Sequence, residues 1–258
     1  MASLAAAAVS IVLGAGAQVE FADPADAMFR ALYPSIDTRT GLTPVAEPAV
    51  ASGREPARVP REGCVPGFRI AAPRVEKWPA AGATTHIAHF LVTTDSPRGA
   101  ALPCYRPEAW VCVLDRAAAG WAPIDCARVE QDHVMSDGPS IDTAPFRLNE
   151  AETAFGVRLR HKTAYRTEDA TDEVLVLFRL HERRLTQVLA VPIAREETDY
   201  TGGGECARAL VVNVDKTRTA GFFDWRVATG RRRGGAECAV DPDPTGRYRW
   251  DGRRYLKE

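Results

Sequence analysis

The feature that most constrains the fold is a series of short β-prone runs that come in pairs, with a few turn-forming residues between the members of each pair. Residues 110–114 and 121–129 flank an Ala-rich turn, and residues 173–180 and 185–193 flank the polar turn 181–184. Paired runs of this length are typical of antiparallel hairpins. Further runs lie at 68–71, 84–94, 146–148, 153–161, 209–214, 223–229 and 248–255, the last with an Asp-Gly pair at 251–252 that favours a two-residue turn.

No stretch after residue 40 has sustained helical periodicity. The sequence therefore predicts a mainly β fold, an antiparallel meander of hairpins arranged as propeller-like blades or as a sandwich. One short helix is expected before it, because Asp23 can cap a helix and Pro34 ends one. Its apolar side chains, which should dock on the main body, are Met28, Phe29 and Leu32.

The N-terminal residues resemble a targeting segment. An apolar run from Leu4 to Leu13 is followed by small residues, and Ala15 and Ala17 suit cleavage before Gln18. No Lys or Arg precedes the run, which departs from the usual pattern. It is too short to span a membrane. The predicted organisation is a signal peptide at 1–17, a short helix and lead-in at 18–42, a Pro/Ala-rich linker or surface segment at 43–62 and a β-rich domain at 63–258, with two possible subdomains meeting near 130–150.

Six cysteines lie in the predicted mature part, and no two of them form a C-x-x-C pair. An even number in an exported chain indicates a disulfide framework, although six cysteines allow 15 pairings. The first hairpin places Cys112 opposite or nearly opposite Cys126. The remaining expected pairs are Cys206–Cys238, which would close the open end of a third hairpin formed by residues 209–214 and 223–229, and Cys64–Cys104 by elimination.

The charge balance argues against a nucleic-acid partner. The 33 Lys and Arg residues nearly equal the 34 Asp and Glu residues, which leaves a net charge of -1. Such a chain has no broad positive field to hold a polyanion. No cofactor and no membrane span are expected either.

Candidate catalytic and ligand-binding residues have ordinary structural explanations. His86 and His89 are three apart in a predicted strand and should point to opposite faces, so they cannot easily share a metal ion. The sequence 132–138 contains Asp132, His133, Ser136 and Asp137, but loop neighbours rarely meet the geometry of a catalytic triad. The glycines at 202–204 lack the Lys that follows a phosphate-binding loop, and the arginines at 231–233 are explained by a solvated tip.

One loop carries a partial family pattern. Asp215 provides a first acid, and Gly221 with Asp224 provides a Gly-x-x-Asp ending. The stretch resembles the calcium loop of FG-GAP repeats in a degenerate form, since Thr217 and Ala220 stand where oxygen ligands or a second acid are expected. Calcium prefers six to eight oxygen ligands. We therefore interpret the loop as a structural turn and expect no bound metal. Asp215 and Asp224 are the weak candidates for calcium ligands in it.

The C-terminal half has a broader resemblance. Its segments 140–142, 145–148, 155–158, 175–180 and 248–255 are similar to a group of uncharacterised exported β-rich proteins of Proteobacteria. This resemblance covers about residues 140 to 258. It implies export and a β fold, and it implies no activity.

The functional hypothesis is a periplasmic or secreted module that is not an enzyme and that binds a partner, such as an envelope protein. One alternative is an envelope hydrolase whose site is assembled from distant Asp, His or Glu residues only in the fold. Another is an inhibitor or immunity-type protein, which should show an exposed apolar patch or a protruding loop.

Overall fold

The structure is a computed structural model that describes residues 24–37, 42–44, 48–50, 67–93, 108–118, 120–129, 139–164, 168–201, 204–230, 236–240 and 242–258. The signal peptide and most of the linker predicted above lie outside these residues. The described part contains the helix α1, Pro24–Leu32, followed by strands of two antiparallel sheets, so the mainly β prediction is confirmed. The strands are β1 (Leu42–Thr43), β2 (Phe68–Lys77), β3 (Thr85–Thr93), β4 (Glu108–Ala117), β5 (Gly120–Arg128), β6 (Ser140–Arg147), β7 (Thr153–Ala164), β8 (Glu168–His181), β9 (Arg184–Asp199), β10 (Gly204–Thr219), β11 (Phe222–Thr229), β12 (Gly246–Trp250) and β13 (Tyr255–Lys257).

Within each sheet, every strand lies beside its neighbours in the chain. The first sheet has the order β1-β2-β3-β4-β5, and the second runs from β13 through to β6. This arrangement is a meander in both sheets, as short hairpin connections require. Among the described residues, no helix is long and apolar enough to span a membrane.

Helix α1 covers one face of the first sheet. Met28, Phe29 and Leu32 are buried there, as the sequence predicted, and the ring of Phe29 meets Phe90 of β3 edge-on at 5.5 Å. Part of the predicted linker also lies on this layer, because the carbonyl of Val50 accepts a hydrogen bond from the Cys126 amide at 3.4 Å. The segment therefore contributes to the folded body at this point.

The opposite face of the first sheet packs on the second sheet. Alternate residues of β3 and β4 face this interface, where the Trp78 ring meets Phe155 of β7 edge-on at 4.9 Å. A buried polar contact adds to the apolar packing, since a carboxylate oxygen of Asp125 accepts a hydrogen bond from the Leu185 amide at 2.6 Å. That bond connects β5 to the start of β9.

The second sheet bends so sharply that its last strands form a third layer. β10 pairs with β9 only over Gly204–Ala209 and pairs with β11 from Leu210 onward. The two parts of the sheet then face each other across a core with Leu177 on one side and Trp225 on the other. The bend has a local cause in β9: Ile193 is the extra residue of a β-bulge, next to Pro192. Bulges bend strands, and Pro inside a sheet is found at such positions.

Several turns differ from the sequence prediction. The turn expected at 181–184 contains only Glu182 and Arg183, both with positive φ (48° and 61°). The two-residue turn expected at the Asp-Gly pair is wrong, because Trp250 pairs with Tyr255 and the loop has four residues. Asp251 stabilises that longer loop by accepting hydrogen bonds from two following main-chain amides, both at 2.7 Å.

Two disulfides join described residues, Cys112–Cys126 and Cys206–Cys238. Both are pairs that the sequence predicted. The first depends on a β-bulge: Leu114 pairs with Pro123 but Val113 pairs with Asp125, so Cys112 comes opposite Cys126. Without the extra residue, Cys112 would face Asp125 instead. The predicted Cys64–Cys104 pair lies outside the described residues.

Candidate binding surface

Among the described strands, none lies along one edge of the second half of β10. The main-chain groups of a strand alternate between its two edges. The Ala209 carbonyl accepts a hydrogen bond from the Gly230 amide at 2.8 Å and so points towards β11. Val212 and Val214 therefore direct their N–H and C=O groups to the opposite edge. On that edge, β9 pairs with β10 only as far as Ala209. We call the segment Leu210–Val214 (residues 210–214) with this free side the open edge.

Exposed apolar side chains lie along the open edge. Val211 and Val214 are 46% and 42% exposed, whereas most of the large apolar side chains in the described part of the chain are covered. No charged residue and no Pro lies between Arg208 and Asp215. Proteins usually protect a free edge with Lys, Pro or a bulge. The five residues of the open edge include no Lys and no Pro.

A β-bulge ends the open edge. The pairing of β10 with β11 shifts between Val214 and Arg218. Within the bulge, a carboxylate oxygen of Asp215 accepts a hydrogen bond from the Lys216 amide at 2.7 Å. This bond keeps the main chain turned away from the regular ladder, so a strand added at the open edge could not continue past Val214.

The calcium candidates Asp215 and Asp224 lie in the hairpin of β10 and β11, where both contact other groups. Asp215 is bound to main-chain amides, which hold the pKa of its carboxyl below the usual value although burial opposes the effect, and its other oxygen lies 3.5 Å from Arg247. Asp224 is 2% exposed and accepts a hydrogen bond from the Thr217 hydroxyl at 2.7 Å. Its Oδ1 atom is buried with no hydrogen-bond partner. The predicted loop is in fact a strand extension that closes with a two-residue turn, in which Gly221 has a φ of 83°.

His86 and His89 point to opposite faces of the first sheet. His86 faces the helix side, where its ring meets Trp121 edge-on at 5.0 Å and its Nδ1 donates to the Thr84 carbonyl. His89 alternates with Ile87 on the face that packs against the second sheet. It is 1% exposed, and neither ring nitrogen has a hydrogen-bond partner. Burial, with a smaller contribution from the charge of Arg74, lowers the pKa of His89 to about 4.

Two histidines that a hydrolase site could use, His86 and His161, lie apart in the described part of the chain. His161 lies in β7 of the second sheet, where its Nε2 shares a hydrogen bond with the Thr163 hydroxyl at 2.8 Å, whereas His86 faces α1 on the far side of the first sheet. The candidates at 132–138 and the arginines at 231–233 lie outside the described residues. Of the three glycines, Gly204 begins β10, and the other two are not described.

Sequence reasoning missed a charged and aromatic cluster at one end of the second sheet. Glu152 accepts hydrogen bonds from Arg179 at 2.8 Å and from His181 at 2.7 Å. Burial alone would raise the pKa of Glu152, but these hydrogen bonds hold it below its usual value. The Arg179 guanidinium also lies over Phe222, at 5.0 Å, and over Trp250, at 5.6 Å. These groups satisfy one another, and the cluster connects β8 to β11 and β12.

One group of potential metal ligands occurs in the described residues, namely Glu197, Cys206 and Cys238. The two sulfur atoms form the second disulfide. A thiolate is the form of Cys that ligates metals, so this group fits a structural cross-link and not a metal site.

Comparisons with protein-family models, with curated proteins and with solved structures found no match for this chain. Its function is therefore inferred from its own residues.

Proposed function

We propose that this chain is a periplasmic or secreted protein that binds another protein and catalyses no reaction. The observation that carries the proposal is the open edge of β10, an uncharged and exposed apolar strand held on a cross-linked scaffold. An unprotected strand edge with exposed apolar side chains is a common site of contact with another protein chain.

Three features support export. The disulfides Cys112–Cys126 and Cys206–Cys238 are typical of oxidising compartments. The apolar run that ends in Ala15 and Ala17 has the composition of a signal peptide. The similarity of residues 140–258 to exported β-rich proteins of Proteobacteria agrees with the same destination.

The arrangement of the layers supports a binding role. The cores on both sides of the first sheet and inside the bent second sheet consist mainly of apolar side chains, and β10 is anchored on them by its pairing with β9 and β11. The surface offered for contact is thus a fixed strand and not a loop. A rigid surface loses little conformational entropy on binding.

Export is tested by the location, the N-terminal residue and the thiol content of the mature protein. Expression of the full chain in a Gram-negative host should place it in the periplasm or medium, with an N-terminus at Gln18 and no thiol that reacts before reduction. Recovery of uncleaved protein with free thiols from the cytosol would refute this part of the proposal.

The binding role is tested by matched variants in envelope extract. We expect the wild-type protein to retain a specific partner that the double variant Val211→Lys, Val214→Lys loses. Leu256→Lys is the control, because Leu256 is 44% exposed on β13 and does not belong to the open edge. Circular dichroism and thermal melting must show that all three proteins are folded. A partner that is retained equally by all three, or the absence of any partner, contradicts the proposal.

A further inference from the structure

We infer that the open edge binds its partner by β-strand addition, in which an extended, uncharged segment of the partner pairs with Leu210–Val214 as a further strand. This inference rests on the proposed function and specifies its chemistry. It concerns the main chain of β10 as well as its side chains.

The main chain defines what can bind. Val212 and Val214 present N–H and C=O groups to the free side of β10, at the spacing of a strand. Another main chain in extended conformation provides complementary donors and acceptors at this spacing. An apolar helix or a flat apolar surface would cover these polar groups without satisfying them, which is unfavourable. The edge therefore selects an extended segment.

The side chains define the composition of that segment. Between Arg208 and Asp215 the open edge has no charge, and Val211 and Val214 expose apolar surface. A charged residue directly opposite would lose water without gaining a partner. β-branched and small polar residues suit both the strand conformation and these neighbours. We expect an uncharged run of about five residues, since the bulge after Val214 stops the ladder.

A second copy of this chain fits less well than a partner segment. In an antiparallel pairing of two open edges, residues before Ala209 of one copy lie opposite residues after Val214 of the other. Residues 204–209 of each copy already pair with β9 along this edge. The β9 strand of each copy would therefore collide with the other copy. The edge is about 17 Å long, which is too short to provide by itself the roughly 800 Å² per partner that a stable dimer interface buries. A single inserted strand matches the available space.

The test uses a short peptide that alternates valine and threonine, with terminal lysines for solubility, and residue-resolved amide hydrogen exchange of the full mature protein. In the free protein, the amides of Val212 and Val214 should exchange at least about tenfold faster than those of Val211 and Asn213, whose N–H groups face β11. Saturating peptide should slow exchange at Val212 and Val214 by about tenfold or more. The control is the same peptide with alternate amide nitrogens methylated, which keeps the side chains but removes donors from one edge. It should bind at least about tenfold more weakly.

The outcomes separate this inference from the proposed function. Equal binding of the two peptides, no binding of either, or binding that leaves exchange at Val212 and Val214 unchanged refutes strand addition. Slowing at these amides on raising the protein concentration without peptide would assign the edge to self-association and also overturn the inference. In each case, a partner lost by the double variant Val211→Lys, Val214→Lys and kept by Leu256→Lys would still support the proposed function.

Discussion

His89 should make the stability of this protein depend on pH. Its imidazole lies between the two sheets, 1% exposed, and neither ring nitrogen has a hydrogen-bond partner. The pKa of His89 falls from 6.5 to about 4, chiefly because burial disfavours the charged form. In the unfolded chain the same side chain is solvated and titrates near its ordinary pKa.

The direction in which stability changes with pH follows from which state, folded or unfolded, binds more protons. Between pH 6.5 and pH 4 the unfolded chain holds a proton on His89 that the folded protein does not, so stability rises with pH in this window. The stabilisation is complete above pH 6.5 and is lost as the pH falls. One pKa unit between the two states corresponds to about 1.4 kcal/mol. The full loss is therefore roughly 3.4 kcal/mol below pH 4, of which about 2 kcal/mol has been lost at pH 5.

Urea unfolding at pH 7.5 and at pH 5 measures this effect in the wild type and in His89→Leu. Carboxylates also titrate at low pH, so the informative quantity is the difference between the two proteins. The wild type should lose about 2 kcal/mol more than the variant, with unchanged denaturant slopes. His181→Gln is the control, because His181 is half exposed on the surface and its removal should leave most of the loss in place. Equal losses in the wild type and in His89→Leu would show that the buried imidazole does not govern the acid sensitivity.

Two further changes test the packing and the cross-links. Gly156→Ala should lower the free energy of unfolding by about 1 to 3 kcal/mol, because a Cβ atom there would lie within 3.1 Å of atoms on three neighbouring side chains; a urea midpoint at or above that of the wild type contradicts this packing. Removing the cross-links by Cys→Ala pairs should cost about 3 kcal/mol for Cys112–Cys126 and somewhat more for Cys206–Cys238, since the second closes a longer loop, 32 residues against 14. Thermal melting with matched single and double variants checks the order, and the reverse order would contradict the loop-length reasoning.

The sequence predicted the elements better than it predicted their connections. Short β-prone runs separated by turn residues indicated the strands, and Asp23 and Pro34 located α1. The turn at Glu182 and Arg183 was harder, because positive φ in two non-Gly residues has no simple sequence signal. At the Asp-Gly pair the predicted turn was too short, because Asp251 accepts hydrogen bonds from two later amides and so stabilises a longer loop. Tertiary packing decides between such turns.

The candidate surface was missed for a related reason. Sequence reasoning searched for acids, bases and ligands, whereas the open edge consists of a valine-rich run that is normally a buried strand. Two signals were present. Pro192 interrupts a strand pattern, which indicates a bulge or an edge, and the run 209–214 lacks the charges that protect an edge. Neither signal shows by itself that β9 and β10 separate at this point.

The open edge exists because β10 is fixed immediately before it. On one side, the pairing with β9 holds β10 up to Ala209. On the other, the Ala207 amide donates to the Ala236 carbonyl at 2.9 Å, and the Cys206–Cys238 disulfide fastens the same segment covalently. The bulge at Ile193 then bends β9 away, while β10 continues straight with β11. The disulfide, a cross-link typical of oxidising compartments, thus lies where the open edge begins. The proposed location and the proposed binding surface therefore depend on the same covalent bond.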